Sequence, residues 1–199
     1  VGVDPAEGKG GNHDDWGIGA LGKRRDKHLV ALDDRTGQYE DDEAGEAIID
    51  LCEIWGATKI IVEVNRGERR VGSVIRAAYY RRLSERGDGK LRPLPEIIGV
   101  TAKEGKKLRA GPLRPLYLQG MLHHVAGLAA LERQQREWDP DATPRPRQDD
   151  HIDWLVHAAH HLADLGAVIV DYRAGFAGMA EATAARVKAQ PQVRPMYGG

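Results

Sequence analysis

Two spacings of apolar residues alternate along the chain and predict the order of its secondary structure. Short runs rich in β-branched residues and bounded by Gly or Pro predict strands, and apolar residues that recur every three or four positions predict helices. The predicted strands are residues 1–5, 16–22, 28–32, 59–64, 96–100 and 121–125. The predicted helices are residues 41–55, 71–85, 104–119, 128–138 and 149–165, the third of them broken or shortened by Pro112 and Pro115.

The order of these elements predicts the fold class. A strand and a hairpin, followed by helix, strand, helix, strand and further helices, indicate an α/β domain with helices flanking a central mixed sheet, in which an antiparallel hairpin joins parallel strands. Residues 59–64 are almost continuously apolar, as in a strand that helices cover on both faces. Ribonuclease H-like folds have this order, so we expect such a fold over residues 1–165. The pattern weakens in residues 166–199, which we interpret as a C-terminal extension or tail.

Composition narrows the class of protein. The chain has 199 residues, 41% of them hydrophobic, which is enough to form the core of a single domain. No apolar run approaches the roughly 18 residues that a membrane-spanning helix needs. Cys52 is the only cysteine, so the sequence allows neither an intrachain disulfide nor a cluster of thiolate ligands. We therefore expect a protein that has no membrane partner and works in a reducing cytoplasm.

Charge is distributed unevenly along the chain, although the formal net charge is only -1. Residues 1–65 contain 7 basic and 15 acidic side chains, whereas residues 66–114 contain 14 basic and 5 acidic ones. A basic segment beside acidic metal ligands suits a surface that attracts phosphates while it holds cations. The alternative interpretation is a solvated helix face with no such role.

Four carboxylates have the positions that a two-metal site for phosphodiester cleavage requires. Asp4 ends the first strand and Glu63 ends the buried strand, so adjacent strands would bring them together. Asp150 and Asp153 lie one turn apart on the last helix. Two hard cations roughly 4 Å apart need several such convergent acids. Each acid also has a structural interpretation. Asp4 could simply end a strand, Glu63 could form a salt bridge, and Asp149 with Asp150 could cap the helix.

Further polar residues flank these acids. Asp15 precedes the second strand and Asn65 follows the buried one, so either could support a metal site, as could Asp149. His157 and His161 have the four-residue spacing with which a helix can bind zinc. No His-Glu-x-x-His pattern accompanies them, so we expect the histidines of the last helix to lie on its surface.

Four segments of the chain together match the motifs of a known family. They are Gly2-Val3-Asp4-Pro5-Ala6 with Asp14-Asp15-Trp16-Gly17-Ile18, Val62-Glu63-Val64-Asn65-Arg66-Gly67, Thr101-Ala102-Lys103-Glu104-Gly105-Lys106 with Arg109-Ala110, and Asp150-His151-Ile152-Asp153-Trp154-Leu155-Val156. As a set, in this order and at these spacings, they resemble the C-terminal nuclease domain of the large terminase subunit, which packages DNA in tailed bacteriophages and gene transfer agents. The resemblance covers roughly residues 1–165.

The resemblance implies a function, a cofactor and a set of residues. The acids matching Asp4, Glu63 and Asp150 would bind two Mg2+ or Mn2+ ions, with a further acid at Asp153, and the domain would cut double-stranded concatemeric DNA with little sequence preference. The residues implied to lie near the DNA backbone are Lys103, Lys106, Lys107 and Arg109. In the full-length protein the partners would be an ATPase motor domain, the portal and the small terminase, in the cytoplasm of the bacterial host.

Two positions depart from the family pattern, and two other functions stay open. Trp154 stands where the family has a small residue, and Asp149 adds an acid that competes for the role of ligand. A Holliday junction resolvase of the same fold would also present an Asp-x-x-Asp pair on its helix. The third possibility is a DNA-binding or motor-docking module that has no activity.

Overall fold

The computed structural model describes residues 1–6, 15–64, 68–86, 92–101, 105–139, 141–142 and 149–163. Its strands are β1 (Gly2–Asp4), β2 (Gly17–Lys23), β3 (Leu29–Asp34), β4 (Lys59–Glu63), β5 (Glu96–Val100) and β6 (Leu122–His124). Its helices are α1 (Asp41–Trp55), α2 (Glu68–Arg86), α3 (Lys106–Ala110), α4 (Leu113–Leu118), α5 (Ala129–Glu137) and α6 (Asp150–Ala163). Each predicted strand and helix has a counterpart among these elements, while residues 164–199 lie outside the described ranges.

The strands form one mixed sheet in the order β5-β4-β1-β2-β3-β6. β2 pairs antiparallel with both β1 and β3, whereas the pairs β1-β4, β4-β5 and β3-β6 are parallel. The prediction of an antiparallel hairpin joined to parallel strands is therefore confirmed. Every strand except β2 ends at the same edge of the sheet, which we call the carboxyl edge. It is formed by the last residues of these strands: Asp4, Asp34, Glu63, Val100 and His124.

Helices cover both faces of the sheet. On one face, α1 and α2 pack on a core that includes Val3, Ile18 and Ile48. On the other face, α6 lies across β1 and β2, and with α5 it packs on a second core that includes Trp154 and Leu131. Burial of each of these aliphatic side chains stabilises the fold by roughly 1.5–3 kcal/mol. None of the helices within the described ranges has the length and hydropathy needed to cross a membrane.

Glycines on one face of β1 and β2 let α6 approach the sheet closely. A Cβ atom at Gly2 would overlap the carbonyl oxygen of Trp154, and one at Gly17 would overlap the carbonyl oxygen of Asp150. A Cβ atom at Gly19 would overlap the indole ring of Trp154. Because side chains alternate across a strand, Asp4 lies on the same face as these glycines. The glycines therefore allow the first turn of α6 to lie over the end of β1.

The bounds of several helices follow from local signals. Acids occupy the first turn of α1, Glu43 Oε2 accepts a hydrogen bond from the Glu40 N–H at 3.1 Å, and Gly56 ends the helix with a φ of 61° that favours glycine. The predicted break in the helix at 104–119 is confirmed, since α3 ends before Pro112 and α4 begins after it. Pro115 lies in the first turn of α4, where its missing N–H is not needed.

The arginines of α2 pair with the acids of α1. The ion pairs are Arg70–Asp41, Arg81–Glu46, Arg82–Glu46, Arg82–Asp50, Arg82–Glu53 and Arg86–Glu53. Arg82 is the least exposed of these arginines, with 14% of its side chain accessible. This part of the basic segment is thus compensated by the acidic helix beside it, and it is not the uncompensated phosphate-attracting stripe that composition suggested. Among the described residues, Lys106 and Arg109 of α3 are the basic side chains that contact the acids of the carboxyl edge.

Candidate metal centre

Asp4 and Glu63 end neighbouring parallel strands at the carboxyl edge. β1 and β4 pair with Val3 opposite Val62, which places the next residue of each strand side by side. Neighbouring strands lie about 4.8 Å apart, so two carboxylates at their ends can reach a common ligand. Glu63 is buried and Asp4 is partly exposed. The expectation that the fold brings these two acids together is confirmed.

His157 of α6 joins the two acids. Its Nε2 lies 2.5 Å from Glu63 Oε2, and one ligand atom from each of Asp4, Glu63 and His157 lies within 4.8 Å of the other two. The prediction that this histidine lies on the helix surface is wrong. α6 contacts the sheet, α3 and α5, so that all its residues from Ile152 to His160 are buried. Its polar side faces the carboxyl edge rather than solvent.

Two other histidines of α6 contact different groups. His160 is also buried, against expectation, and its Nε2 lies 2.6 Å from the carbonyl oxygen of Arg109. His161 Nε2 lies 3.3 Å from the Nζ of Lys59, which is the first residue of β4 and thus at the opposite edge of the sheet from Glu63. Although His157 and His161 have the spacing of a zinc-binding pair, they do not face a common site.

Asp153 lies beside Asp4, one turn before His157 on α6. Its buried carboxylate accepts a hydrogen bond from Lys106 Nζ at 2.5 Å, and the same ammonium group donates to Asp149 Oδ1 at 2.5 Å. Lys106 therefore compensates the charge of two acids at the start of α6. Of the four acids predicted to bind metal, Asp4 and Glu63 converge with His157, and the charge of Asp153 acts on Asp4 from beside this group.

Asp150 faces another side of this group. The charged residues that act on it most strongly are Asp149, Lys106 and Asp15. Its buried Oδ2 has no hydrogen-bond partner among the described residues, and such an atom is costly unless a cation or water binds it. Asp15 and Asp149, which were expected to support the metal ligands, thus lie near Asp150. Asn65 lies outside the described residues.

Burial makes three of these acids resist ionisation. Burial raises the pKa of Asp4 well above its ordinary value, and the carboxylates of Asp153 and Glu63 raise it further. Burial also raises the pKa of Asp153, although the ammonium group of Lys106 opposes this effect. For Asp150, burial and the charge of a neighbouring acid raise the pKa to about 7. A divalent cation would remove this cost, because it stabilises the charged carboxylates.

Glu63 behaves in the opposite way. Burial opposes its ionisation, but the hydrogen bond with His157 and the positive charge of Arg109 hold its pKa well below the usual range. Arg109 Nη1 lies 3.4 Å from Glu63 Oε2 and 3.2 Å from His157 Nε2. Glu63 is therefore kept charged and oriented by two side chains, as a metal ligand needs to be.

The basic residues expected near DNA divide into two kinds. Lys106 and Arg109 bind the acids of the centre, and the Arg109 side chain is only 12% exposed. Lys107 is 61% exposed and pairs on the surface with Asp141, with Nζ 2.8 Å from Oδ1. Lys103 lies outside the described residues. Among the described members of this set, Lys107 is thus the one whose charge is most open to a polyanion.

A second polar group at the carboxyl edge is one that sequence reasoning missed. Asp34, at the end of β3, has a buried carboxylate that binds Trp154 Nε1 at 3.2 Å and His151 Nδ1 at 2.7 Å. Trp154 is one of the two positions at which the sequence departs from the motifs of the family that it resembles. Its indole ring lies over Gly19, and its Nε1–H donates a hydrogen bond to Asp34. The signal in the sequence was an acid ending an apolar strand, the same signal that had marked Glu63.

The donor set fits divalent cations of the Mg2+ or Mn2+ type. Carboxylate oxygens are the ligands that these hard cations prefer, and Asp4 and Glu63 supply them in a group that His157 completes, with the Asp153 carboxylate beside Asp4. The unpartnered Oδ2 of Asp150 is a further oxygen donor beside it. The centre therefore has the chemistry of a metal site built mainly from carboxylates.

Known proteins are similar to this chain in fold and not in sequence. No family model and no curated protein matches the sequence. Among solved structures, the nuclease domain of the human cytomegalovirus terminase, soaked with Mn and bound to an inhibitor, matches with a TM-score of 0.53 and 14% identity, over 81% of each chain. The chain has a ribonuclease H-like fold. A yeast mitochondrial Holliday junction resolvase matches with a TM-score of 0.49 and 13% identity, over 89% of this chain and 84% of that one. In this ribonuclease H-like fold, the candidate metal centre lies where β1, β4 and α6 meet.

Proposed function

We propose that this chain is the nuclease domain of a DNA-packaging terminase, a metal-dependent endonuclease that cuts double-stranded concatemeric DNA. The observation that carries the proposal is the convergence of Asp4, Glu63 and His157, with Asp153 beside Asp4, at one edge of a ribonuclease H-like sheet. Motifs that resemble the terminase family, distributed in order along residues 1–165, support the same assignment. Isolated acids would have ordinary structural roles, whereas acids that converge in a largely buried group form a favourable site for a cation.

In this proposal Asp4, Glu63, Asp150 and Asp153 hold two Mg2+ or Mn2+ ions. Bound there, the ions would supply an activated water and stabilise the charge on the attacking and leaving oxygens of the phosphodiester. His157 and Arg109 keep Glu63 ionised and fix its orientation. These two residues act on the metal ligand and are therefore positioning residues.

The basic residues of α3 act on the substrate. Lys107 attracts the DNA backbone, because its side chain is exposed and its surface ion pair with the equally exposed Asp141 is readily exchanged for a phosphate. Lys106 compensates the acids of α6 in the absence of metal and binds a phosphate oxygen when cations take over that role. Lys103 belongs to the same proposed set, whereas Arg109, which the family resemblance also implies near the DNA backbone, acts there through its contact with Glu63.

The proposal includes partners and a place of action. The chain would act on double-stranded DNA together with an ATPase motor domain, a portal and a small terminase, in the cytoplasm of a bacterial host. The resemblance of the motifs to the large terminase family supports these assignments. The similarity in fold to a viral terminase nuclease domain is consistent with the nuclease assignment on which these partners depend.

The test is cleavage of supercoiled plasmid by the chain in Mn2+, Mg2+ or EDTA. We expect metal-dependent nicking and linearisation that falls by about a hundredfold in Asp4→Asn, because a metal ligand is lost. Asp26→Asn, in the exposed hairpin at the opposite edge of the sheet, is the matched control and should keep full activity. Wild-type activity of Asp4→Asn under saturating Mn2+ would contradict the proposed role of the centre.

Two further outcomes would redirect the assignment. A strong preference for four-way junctions over linear duplex would indicate a Holliday junction resolvase. DNA binding without cleavage in either metal would indicate a binding module that has no activity. Cleavage of duplex DNA with little dependence on sequence is the result that the terminase proposal expects.

A further inference from the structure

A pocket lies between α5 and the start of α6, beside the metal centre. Its volume is about 160 Å3, and its lining includes Asp15, Arg133, Trp138 and His151. The proposed cleavage reaction uses none of these side chains directly. Gln134 Oε1 accepts a hydrogen bond from the Ile152 N–H at 3.0 Å, which fixes α5 against the first turn of α6. The pocket therefore has defined walls.

His151 is held in one orientation at the wall of this pocket. Its Nδ1 lies 2.7 Å from Asp34 Oδ2, and the side chain of Asp34 is only 4% exposed. Asp34 is itself fixed, since it accepts hydrogen bonds from Trp154 Nε1 at 3.2 Å and Thr36 Oγ1 at 2.7 Å. Among the described residues, the contact of Nδ1 with Asp34 is the hydrogen bond that the ring makes, so Nε2 is left for a ligand.

Arg133 and Trp138 give the pocket a cation and an aromatic surface. Arg133 is exposed on α5 and forms no ion pair with another described residue. Trp138 is partly buried against the core and presents part of its ring to the pocket. A guanidinium group binds phosphate oxygens in a planar fork, and an aromatic ring contacts a sugar or base. Together these groups have the chemistry that recognises a nucleotide.

The pocket lies along the same edge as the metal centre. Asp4 ends β1 and Asp34 ends β3, with one strand between them, which places the two strand ends about 10 Å apart. Asp15 lies between the pocket and the metal centre, because it lines the pocket and its charge acts on Asp150. Asp15 and Glu137 also disfavour a free phosphate ion in the pocket. The two acids are compatible with a nucleotide whose strand is already bound at the metal centre, because the rest of the strand holds that nucleotide in place.

We infer that this pocket is the subsite for a nucleotide flanking the cleaved phosphodiester. Arg133 and His151 bind the phosphate of that nucleotide, and Trp138 contacts its sugar or base. The inference rests on the proposed nuclease function, because the pocket would hold a nucleotide next to the phosphodiester that is cut at the metal centre. Arg133 is in this view a residue that sets the register of the DNA strand.

The experiment places a single neutral methylphosphonate at one linkage of a short duplex and resolves cleavage at each nearby linkage on a sequencing gel. Single-turnover cleavage is measured for the wild-type chain, Arg133→Ala and Arg136→Ala. Arg136 is exposed on the same helix but does not line the pocket, so it is the matched control. We expect one flanking position at which the neutral linkage slows the wild type and Arg136→Ala about tenfold, as loss of a charged hydrogen bond predicts. At that position Arg133→Ala should lose less than about twofold, because its contact is already absent.

An equal methylphosphonate penalty in the wild type and Arg133→Ala at every position would overturn the inference while leaving the nuclease proposal intact. If the wild type cuts no DNA, the proposed function fails, and the subsite is then tested by fluorescence anisotropy of the same duplexes in Ca2+. A position-dependent loss of affinity that Arg133→Ala abolishes would support the subsite. A loss that is the same in all three proteins would overturn it.

Discussion

At the scale of single residues, neighbours decide how each acid of the carboxyl edge behaves. Glu63 and Asp4 lie side by side, yet the pKa of Glu63 is lowered and that of Asp4 is raised. The difference arises because His157 and Arg109 contact Glu63, whereas Asp4 faces further carboxylates. The centre therefore contains one acid whose ionisation basic neighbours favour and others whose ionisation is opposed by burial and would be favoured by a cation.

Asp150 gives a prediction about pH. Its pKa of about 7 exceeds the ordinary value of about 4, so the metal-free folded chain binds more protons than the unfolded chain between these two pH values. The free energy of unfolding therefore falls as the pH rises through this window. We expect Asp150→Asn to be more stable than the wild type at pH 8 in EDTA, by about 2 kcal/mol. Thermal unfolding between pH 5 and pH 8 checks this.

The pH dependence separates this effect from a general change in packing. The difference in free energy of unfolding between Asp150→Asn and the wild type should shrink toward pH 5, where the carboxyl group of Asp150 in the wild type is largely protonated. Mn2+ should stabilise the wild type more than the variant at pH 8. A difference in stability that stays constant with pH would show that the titration of Asp150 is not its cause.

At the scale of elements, the position of α6 depends on small residues in the sheet. Gly2, Gly17 and Gly19 leave room for the backbone and the indole of the helix, and no side chain at these positions would fit without a shift. The helix carries Asp150, Asp153 and His157 on the side that faces this surface. A displacement of α6 would therefore separate its acids from Asp4 and Glu63, even if the core of the protein stayed intact.

Gly19→Ala tests this arrangement. The added Cβ would overlap the Trp154 ring, which is completely buried, so we expect a loss of stability of about 1–3 kcal/mol and a weaker metal affinity. Gly22→Ala on the same strand is the control, because its Cβ would meet the end of the Leu32 side chain at 3.1 Å, which can rotate away. Chemical denaturation and Mn2+ titration compare the two. Equal behaviour of both variants would exclude a special role for the close approach.

At the scale of the whole molecule, charge is arranged differently in space than along the chain. The first third of the sequence is acidic and the next segment is basic, but α1 and α2 bring much of this opposite charge together. The paired acids of α1 and arginines of α2 therefore cancel one another and leave little net charge on this surface. Among the described residues, α3 contributes basic side chains near the carboxyl edge, of which Lys107 is the exposed one, and Arg133 of α5 lies at the neighbouring pocket.

The salt dependence of DNA binding measures this arrangement. Lys107→Ala should reduce the slope of log affinity against log salt concentration by about 1, as loss of one phosphate contact predicts. Arg81→Ala should leave the slope unchanged, because Arg81 is exposed on α2, away from the carboxyl edge, and pairs with Glu46 of α1. Binding is measured in Ca2+ over a series of salt concentrations. The reverse pattern would place the DNA on the α2 side of the molecule.

Local pattern in the sequence was sufficient for the elements and for one part of the centre. The bounds of α1 and β5, the break at Pro112 and the mixed character of the sheet all agree with prediction. The proximity of Asp4 and Glu63 also followed, because both end parallel strands and such strands end at one edge. These features depend on periodicity, on turn residues and on the rules of strand pairing, which act over short stretches of chain.

Tertiary structure alone decided which faces and side chains meet. The burial of His157 requires α6 to be covered by the sheet, α3 and α5, and the contact of His151 and Trp154 with Asp34 joins residues more than 100 positions apart. The pairing of the α2 arginines with α1 likewise depends on how two helices pack. A helix pattern marks polar and apolar sides, but partners that are distant in sequence determine whether a polar side faces water or a buried set of acids.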